Sequence, residues 1–377
     1  METRVGGVDR CDVAVVGGSL AGAAAATALA RSGARVVVLE KAQFPRSKVC
    51  GCFLSPEALP VLRRIGMEEE LRKENPETIL RFTLVQSSGG RVEADLPAPV
   101  LSISRERLDA LAAAAAKRAG AEIRFNTTVQ AIEGDLQRGF LLKGHGWELA
   151  ARAAVGAWGR YGPLDSRLRR AFIRRESSLF GFGKTLIGPS HHLANRAVLH
   201  FFEGGYVGLS RVEGGLVNLA ALASRAVVHE AHDDLEGLLG RLSRKSAAFA
   251  RDLEGLTPKP GPALVSEPMF LGEHGALAGD VLCVGDAAGV IDPYTGTGMS
   301  LALLLGDAAA APLAAFLAGT LAPEGLRQEH LRRHREIAGR RFFTSRLFRP
   351  FFSGGALSRL IQPAAAPLAR WAAKVTR

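Results

Sequence analysis

The feature that most constrains this fold is a glycine-rich turn near the amino terminus. The turn, Val15–Gly22 (VVGGSLAG), follows an apolar, β-branched run, Cys11–Val16, that predicts a buried strand. Leu20–Arg31 is rich in Ala and Leu, which favours a helix. Arg35–Leu39 (RVVVL) predicts a second strand, which ends at Glu40. The first forty residues therefore predict a β-α-β unit.

A turn in this position is suited to binding a dinucleotide. Its backbone N–H groups can approach a pyrophosphate closely, and the helix N-terminus adds partial positive charge. Gly17 and Gly22 fit the outer positions of G-x-G-x-x-G, while Ser19 occupies the middle one. Glu40 stands where an acid accepts hydrogen bonds from ribose hydroxyls, and it would repel a phosphate on that ribose. FAD or NAD is therefore favoured over NADP. The alternative to dinucleotide binding is that the segment is a glycine-rich turn of an ordinary α/β protein.

A second glycine-bearing segment lies near the other end of the chain, at Val281–Leu303. There an apolar strand runs into Gly285 and Asp286. The loop that follows and opens a helix carries Pro293, Gly296, Gly298 and Met299. Each segment alone is a weak signal, whereas the pair is specific.

Together the two segments resemble flavoproteins of the para-hydroxybenzoate hydroxylase fold, and within them the geranylgeranyl reductase-like branch. The resemblance implies an α/β fold: an FAD-binding Rossmann-like domain in a three-layer sandwich, a mostly antiparallel β-sheet substrate domain, and C-terminal helices. It implies that the first segment holds the ADP part of FAD and that Asp286 binds the ribityl hydroxyls. Gly298 and Met299 would direct N–H groups at the pyrimidine edge of the flavin.

Two further stretches share this resemblance. Phe44–Leu59 is similar to the R-x-K-x-C-G stretch that passes beside the flavin in the family. Ser102–Val129 is similar to the helix start whose Arg contacts the cofactor, with the backbone near its end at the adenine. The cofactor-binding positions implied are Gly17, Gly18, Ser19, Leu20, Gly22, Glu40, Lys41, Arg46, Lys48, Cys50, Gly51, Arg105, Val129, Gly285, Asp286, Pro293, Gly296, Gly298 and Met299.

The chain departs from the family at two places. Aromatic hydroxylases of this fold carry an Asp-Gly pair linked to NADPH handling, where this chain has Trp158 and Gly159. Archaeal polyprenyl reductases carry a Tyr-x-Trp motif in the lipid pocket, where this chain has Tyr206-Val207-Gly208. The first departure disfavours direct NADPH-driven hydroxylation, and the second leaves the substrate open.

These observations predict an FAD-dependent oxidoreductase of secondary or lipid metabolism. The favoured reaction is reduction or dehydrogenation of a carbon–carbon bond in a small apolar substrate, isoprenoid- or polyketide-like. The electron donor, whether NAD(P)H, ferredoxin or another, is not assigned. Cys50 and Tyr206 are the candidates for catalysis. The alternatives are a flavin monooxygenase or halogenase acting on an aromatic metabolite, and a non-catalytic FAD-bearing binding protein.

The pattern also predicts how the chain divides. The FAD-binding domain is expected to be discontinuous, over residues 1–78, 100–165 and 267–325. The substrate domain is expected at 79–99 and 166–266, where strand-like pieces alternate with glycine turns before a helix at Asp233–Ala250. Residues 326–377 form a C-terminal helical segment.

Charge and composition indicate which kinds of partner and which cellular compartment to expect. The net charge is +11, which favours anionic partners, but three Trp, three Tyr and no RNA-binding signature argue against nucleic acid. Four Cys predict neither a disulfide scaffold nor a metal site, and the cytoplasm is the expected location. The apolar run Leu301–Gly319 contains Asp307 and Pro312, so we expect a buried helix. The basic C-terminal helices suggest peripheral membrane contact.

Overall fold

The computed structural model describes residues 4–5, 8–86, 89–177, 179–230, 234–266 and 268–352. The strands are β1 (Arg4–Val5), β2 (Val8–Val16), β3 (Val36–Leu39), β4 (Phe53–Leu54), β5 (Glu77–Val85), β6 (Arg91–Ser102), β7 (Glu122–Arg124), β8 (Ala131–Asp135), β9 (Gly139–Gly144), β10 (Trp147–Gly156), β11 (Leu179–Ile187), β12 (Arg196–Phe202), β13 (Gly205–Arg211), β14 (Val217–Ser224), β15 (Thr257–Pro258), β16 (Leu264–Val265), β17 (Gly272–Glu273), β18 (Leu277–Ala278), β19 (Val281–Cys283) and β20 (Gly289–Val290).

The α-helices alternate with these strands in the first part of the chain and dominate its end. They are α1 (Leu20–Arg31), α2 (Leu59–Arg64), α3 (Glu68–Lys73), α4 (Arg105–Arg118), α5 (Pro163–Arg167), α6 (Arg225–Glu230), α7 (Leu235–Lys245), α8 (Ala247–Asp252), α9 (Gly298–Leu317), α10 (Pro323–His334) and α11 (Arg340–Phe352). The fold is mixed α/β, with one sheet built on parallel strands and a second, largely antiparallel sheet. This confirms the predicted fold class.

The first sheet has the order β18-β19-β10-β2-β3-β7. Strands β19, β10, β2, β3 and β7 are parallel, so their carboxyl ends meet at one edge. Every residue of β3 is buried, as expected for a Val-rich strand covered on both faces. The chain leaves β2 in one direction towards β3 and returns on the other side as β10. The crevice at this reversal is where α/β sheets bind ligands, and both glycine segments reach it.

Helices α1 and α9 pack closely because both are rich in small residues at their contact. A Cβ atom on Gly306 would lie 2.1 Å from the carbonyl oxygen of Ala21. Helix α9 is long and apolar enough to cross a membrane by length and composition, and half of its apolar window is buried inside the protein. This burial agrees with the core helix expected from Asp307 and Pro312.

The second sheet has the order β15-β11-β14-β13-β12-β5-β6-β4 and is antiparallel except between β12 and β5. One face packs on α7 and α8 through Val198, Val207 and Phe249. The other face carries Leu199, Tyr206 and Leu222, which cluster with Met269. This second face covers the crevice of the first sheet.

The predicted domain boundaries and helices agree with the observed elements only in part. The predicted boundaries after residues 78 and 99 fall inside β5 and β6, so the division into domains stays a prediction. The prediction of a single helix at Asp233–Ala250 is wrong. Helix α7 ends before Ser246, and the hydroxyl of Ser246 caps the start of α8 by accepting a hydrogen bond from the N–H of Phe249. Residues 326–352 are helical, whereas 353–377 lie outside the described residues.

Candidate functional site

The first glycine turn requires its glycines because backbone segments approach each other closely. Gly17 has φ +103°, and a Cβ there would lie 2.2 Å from the carbonyl oxygen of Ala157. A Cβ on Gly22 would lie 1.9 Å from the carbonyl oxygen of Gly17. Helix α1 begins at Leu20, directly after Ser19. The N–H groups of its first turn therefore have no hydrogen-bond partner within the helix. The turn therefore has the form of an anion-binding site.

Glu40 is held in a fixed orientation at the end of β3. It is 4% exposed, and its carboxylate accepts hydrogen bonds from the N–H of Gly18 (2.7 Å) and the N–H of Ala42 (3.0 Å). A carboxylate has about four acceptor sites, so capacity for ribose hydroxyls remains. The structure thus places Glu40 against the glycine turn, as the strand pattern predicts.

The sequence did not reveal Asp109, which organises the charges beside the turn. Its fully buried carboxylate accepts from Lys48 Nζ (2.7 Å), Arg105 (3.0 Å) and Ser19 Oγ (3.0 Å). Arg105 also donates to Ser19 Oγ at 2.7 Å. Burial alone would raise the pKa of Asp109, but the two cations lower it below its usual value. The signal that could have found it is its position four residues after Arg105 on one helix face.

This cluster carries more positive than negative charge. Burial lowers the pKa of Lys48 to about 8, although Asp109 opposes that shift. The Nε of Arg46 is buried and has no hydrogen-bond partner among the described residues. One carboxylate therefore faces several cations beside a helix start, and a bound polyanion would remove the excess charge. These properties fit a pyrophosphate.

Asp286 lies at the carboxyl end of β19, after Gly285. Gly285 has φ +59°, and a Cβ there would lie 2.8 Å from the Cβ of Ala21, so the chain passes close to α1. Burial raises the pKa of Asp286, while Arg160, Arg105 and Lys48 oppose the rise. The hydrogen bonds within the described chain include none to its carboxylate. A half-buried acceptor without a described protein partner fits sugar-alcohol hydroxyls.

The second glycine loop positions the start of α9. Gly296 has φ +66°, and α9 begins at Gly298, so Met299 lies in its first turn. Ser300 Oγ accepts from Ser55 Oγ at 2.7 Å, which ties the start of α9 to the loop that contains Cys50 and Gly51. The structure therefore brings together the stretch from Cys50 to Ser55 and the start of α9, which are far apart in sequence.

Cys50 lies in this loop as a free thiol beside Cys52. The N–H of Cys52 donates to Cys50 Sγ at 3.3 Å. Hydrogen bonding from Cys52 lowers the pKa of Cys50, and the charge of Arg105 adds to this effect. Hydrogen bonding with Cys50 raises the pKa of Cys52, together with burial. Cys50 is thus the more acidic thiol of the pair.

A cavity lies between this loop and the second sheet. Its empty space, counted with the part that is continuous with solvent, is about 520 Å³. Its walls include Cys50, Gly51 and Pro293 on one side. On the sheet side they include Leu199, Tyr206, Gly208, Ser210, Asn218, Ala220 and Leu222, with Arg160 and Met269 at the edge.

Tyr206 places a phenol in this cavity. The side chain is 6% exposed, and burial raises the pKa of its hydroxyl well above the usual value. The group therefore stays protonated near neutral pH. The described hydrogen bonds include none from this hydroxyl, so it can donate one to a bound molecule.

Other predicted positions contribute less. Lys41 is exposed, and Leu20 and Val129 are buried apolar residues whose backbone, not side chain, would serve a ligand. His200 and Asp252 form a buried pair (Nε2–Oδ2 2.8 Å) that sequence reasoning missed because 52 residues separate them. That pair packs on Phe249 on the sheet face away from the cavity, so it stabilises α8 instead of joining the site.

The hydrogen-bonding groups along the crevice fit FAD from end to end. Glu40 suits the ribose, the glycine turn with Arg105 and Lys48 suits the pyrophosphate, and Asp286 suits the ribityl chain. The N–H groups of Gly298 and Met299 at the start of α9 suit the pyrimidine edge of the ring. Within the described residues, no group of three or more His, Cys, Asp or Glu could hold a metal ion.

Comparison with known proteins agrees with this assignment. Residues 10–200 match a family model described as an FAD binding domain. The menaquinone reductase of Mycobacterium tuberculosis (strain ATCC 25618 / H37Rv) is 29% identical over 319 residues, which cover 80% of this chain and 76% of that protein.

Solved structures of two flavoproteins share the fold. The myxobacterial chondrochloren halogenase CndH superposes with a TM-score of 0.77 at 18% identity, covering 98% of this chain and 91% of that one. PqsL from Pseudomonas aeruginosa, a probable FAD-dependent monooxygenase, gives a TM-score of 0.69 at 22% identity, covering 92% and 97%. At these identities the likeness concerns the fold alone.

We expect Arg105→Gln to weaken FAD binding by about tenfold or more, because a charged hydrogen-bond donor contributes about 1.5–3 kcal/mol. Arg107→Gln is the matched control, since Arg107 is exposed on the same helix. Dissociation constants would be measured from the quenching of flavin fluorescence on titration into FAD-free protein, with the thermal midpoint of each variant as a check of folding. A folded Arg105→Gln protein that binds FAD as tightly as Arg107→Gln would contradict the assignment.

Proposed function

The chain belongs to the family of FAD-binding domains and is an FAD-dependent oxidoreductase, and from this premise we propose that it reduces a carbon–carbon double bond of an apolar substrate. The observation that carries the proposal is the largely apolar cavity next to the expected flavin position. Its walls include Val49, Phe53 and Leu199. An apolar pocket with few polar groups is typical of sites for small apolar molecules.

The cavity adjoins the segments that would contact the flavin. Cys50, Gly51 and Pro293 are part of its wall and also belong to the two loops that the family resemblance assigns to the flavin. A molecule in the cavity would therefore lie against the ring. When bound, the flavin supplies hydride exchange with a carbon centre. The protein holds the substrate, excludes water and provides a proton.

Tyr206 is our proposed proton donor. Its hydroxyl stays protonated because burial raises its pKa, and it faces the cavity without a described partner. Cys50 is the second candidate, since it also lines the cavity and its pKa is lowered by Cys52. The relative named menaquinone reductase supports reduction as the direction of the reaction. We further propose the geranylgeranyl reductase-like branch and leave the class of electron donor open.

A flavin monooxygenase or halogenase is the competing function, because the fold that this chain shares with CndH and PqsL also serves a halogenase and a probable monooxygenase. The site differs from the expected hydroxylase pattern at Trp158. This ring packs against the end of β10, and its Nε1 donates to the buried carboxylate of Asp165 at 3.1 Å. Trp158 is thus half-buried and packs against the core at the position where the hydroxylases carry the Asp-Gly pair.

Reaction in the absence of oxygen separates these functions. We expect the FAD-loaded protein, supplied anaerobically with a chemical reductant and an isoprenoid or polyketide alkene, to yield a product heavier by two hydrogens, detected by mass spectrometry. Tyr206→Phe should lower the rate while retaining FAD. NADPH-dependent oxygen consumption with a hydroxylated or halogenated product would overturn the reductase assignment. A flavin that cannot be cycled under either condition would favour a binding protein.

We also propose that the C-terminal segment contacts an anionic membrane surface. After Glu336 the chain contains no Asp or Glu, and it carries eight basic residues, Arg340, Arg341, Arg346, Arg349, Arg359, Arg370, Lys374 and Arg377. Helix α11 exposes Phe343 (70%) and Leu347 (53%) one turn apart. On its buried side Arg349 donates to Asp292 at 2.7 Å, next to the cavity residue Pro293. Basic residues beside exposed apolar ones are typical of helices at lipid interfaces.

Vesicle sedimentation tests the membrane contact. We expect the protein to bind phosphatidylserine-containing vesicles and to bind pure phosphatidylcholine weakly. The double variant Phe343→Ser, Leu347→Ser should lower binding about tenfold, because it removes about 1–3 kcal/mol of apolar contact. Leu80→Ser is the control, as Leu80 is exposed on β5 of the second sheet. Equal binding to both lipids, or an unchanged double variant, would refute the contact.

A further inference from the structure

Arg160 occupies an unusual position at the edge of the cavity. It follows Gly159 in the loop after β10, and its side chain forms part of the cavity wall. The one hydrogen bond described for its guanidinium is to Met269 Sδ at 3.3 Å. A thioether is a weak acceptor, so nearly all of the donor capacity of this group is unused.

Three other interior cations have strong partners. Arg105 and Lys48 bind Asp109, and Arg170 binds Asp165 at 3.2 Å together with backbone carbonyls. Across the described ranges, no carboxylate lies within ion-pair distance of Arg160. Its unpaired N–H groups reach solvent and it lowers the pKa of Asp286 only through charge at longer range, so an acceptor on a bound molecule can take the place of water at this guanidinium.

Arg160 lies on the substrate side of the site. Met269, which its guanidinium contacts, belongs to the apolar cluster of Leu199, Tyr206 and Leu222 on the second sheet. The pyrophosphate position already has Arg105 and Lys48. Among the other polar wall residues, Asn218 donates to the carbonyl of Cys50 at 2.9 Å, whereas the hydroxyl of Tyr206 has no described partner. Arg160 and the hydroxyls of Tyr206 and Ser210 are therefore the side-chain donors of the wall that lack a strong described partner, and Arg160 is the one that carries a charge.

We propose that Arg160, with Tyr206, binds a carbonyl or carboxylate oxygen on an otherwise apolar substrate. The inference rests on the proposed function for the position of the substrate. It adds that a pure hydrocarbon chain is not sufficient for recognition. Arg160 is thus the residue that determines specificity for an oxygen-bearing head, and the apolar wall receives the remainder of the molecule.

Three probes that share one bicyclic ring test this directly. They are 2-methylnaphthalene without oxygen, 2-methyl-1,4-naphthoquinone with carbonyl oxygens, and 2-naphthoate with a carboxylate. Binding to the oxidised, FAD-loaded protein would be measured by titration calorimetry without any reductant. We expect at least one oxygen-bearing probe to bind about tenfold more tightly than the hydrocarbon, with the identity of that probe distinguishing carbonyl from carboxylate.

Variants connect that preference to the residue. Arg160→Gln should reduce the preference to about threefold or less with FAD still bound, and Arg160→Lys should retain part of it. Arg72→Gln, on the exposed face of α3, is the control. Equal binding of all three probes to the unaltered protein would overturn the inference, as would an Arg160→Gln protein that keeps the preference or loses FAD instead. Because no turnover is needed, failure of double-bond reduction would leave this result intact.

Discussion

The buried carboxylate of Asp109 is the interaction on which the rest of the site depends. It binds Ser19 of the glycine turn, Lys48 of the loop beside the cavity, and Arg105 on its own helix, so that three separate segments meet at one anion. Removing one partner of a buried ion pair costs about 3–5 kcal/mol, because the remaining charge stays buried without compensation. The cluster thereby fixes the loop that contains Cys50 against the crevice of the first sheet.

The two sheets contribute different parts of the site. The parallel sheet brings the carboxyl ends of β2, β3 and β19 to one edge, and the glycine turn, Glu40 and Asp286 follow those ends directly. The largely antiparallel sheet supplies a wall that is apolar except for a few donors. A cofactor extended along the first sheet would thus present its reactive end to the cavity under the second. This arrangement explains why Glu40 and Asp286 follow strand ends of the first sheet, whereas much of the apolar wall comes from strands of the second sheet.

Much of the cofactor side could be predicted from the sequence, because it depends on local patterns. Gly17 and Gly22 are required by close backbone approach, and Glu40 follows a strand whose apolar pattern is unmistakable. On the substrate side the sequence named Cys50 and Tyr206 but neither Arg160 nor Met269, because these residues meet through tertiary packing alone. The pair of His200 and Asp252 was missed for the same reason, and the break at Ser246 because one capping hydroxyl outweighs a continuous helical pattern.

We infer that both glycine segments hold one FAD molecule at its two ends. The most direct measurement is a titration of FAD-free protein with FAD, followed by competition with ADP. We expect one FAD bound per chain, and displacement by ADP at much higher concentration, because ADP fills the part of the crevice at the first turn and leaves Asp286 and the start of α9 without a ligand. Failure to bind FAD, or binding that ADP cannot displace, would contradict it.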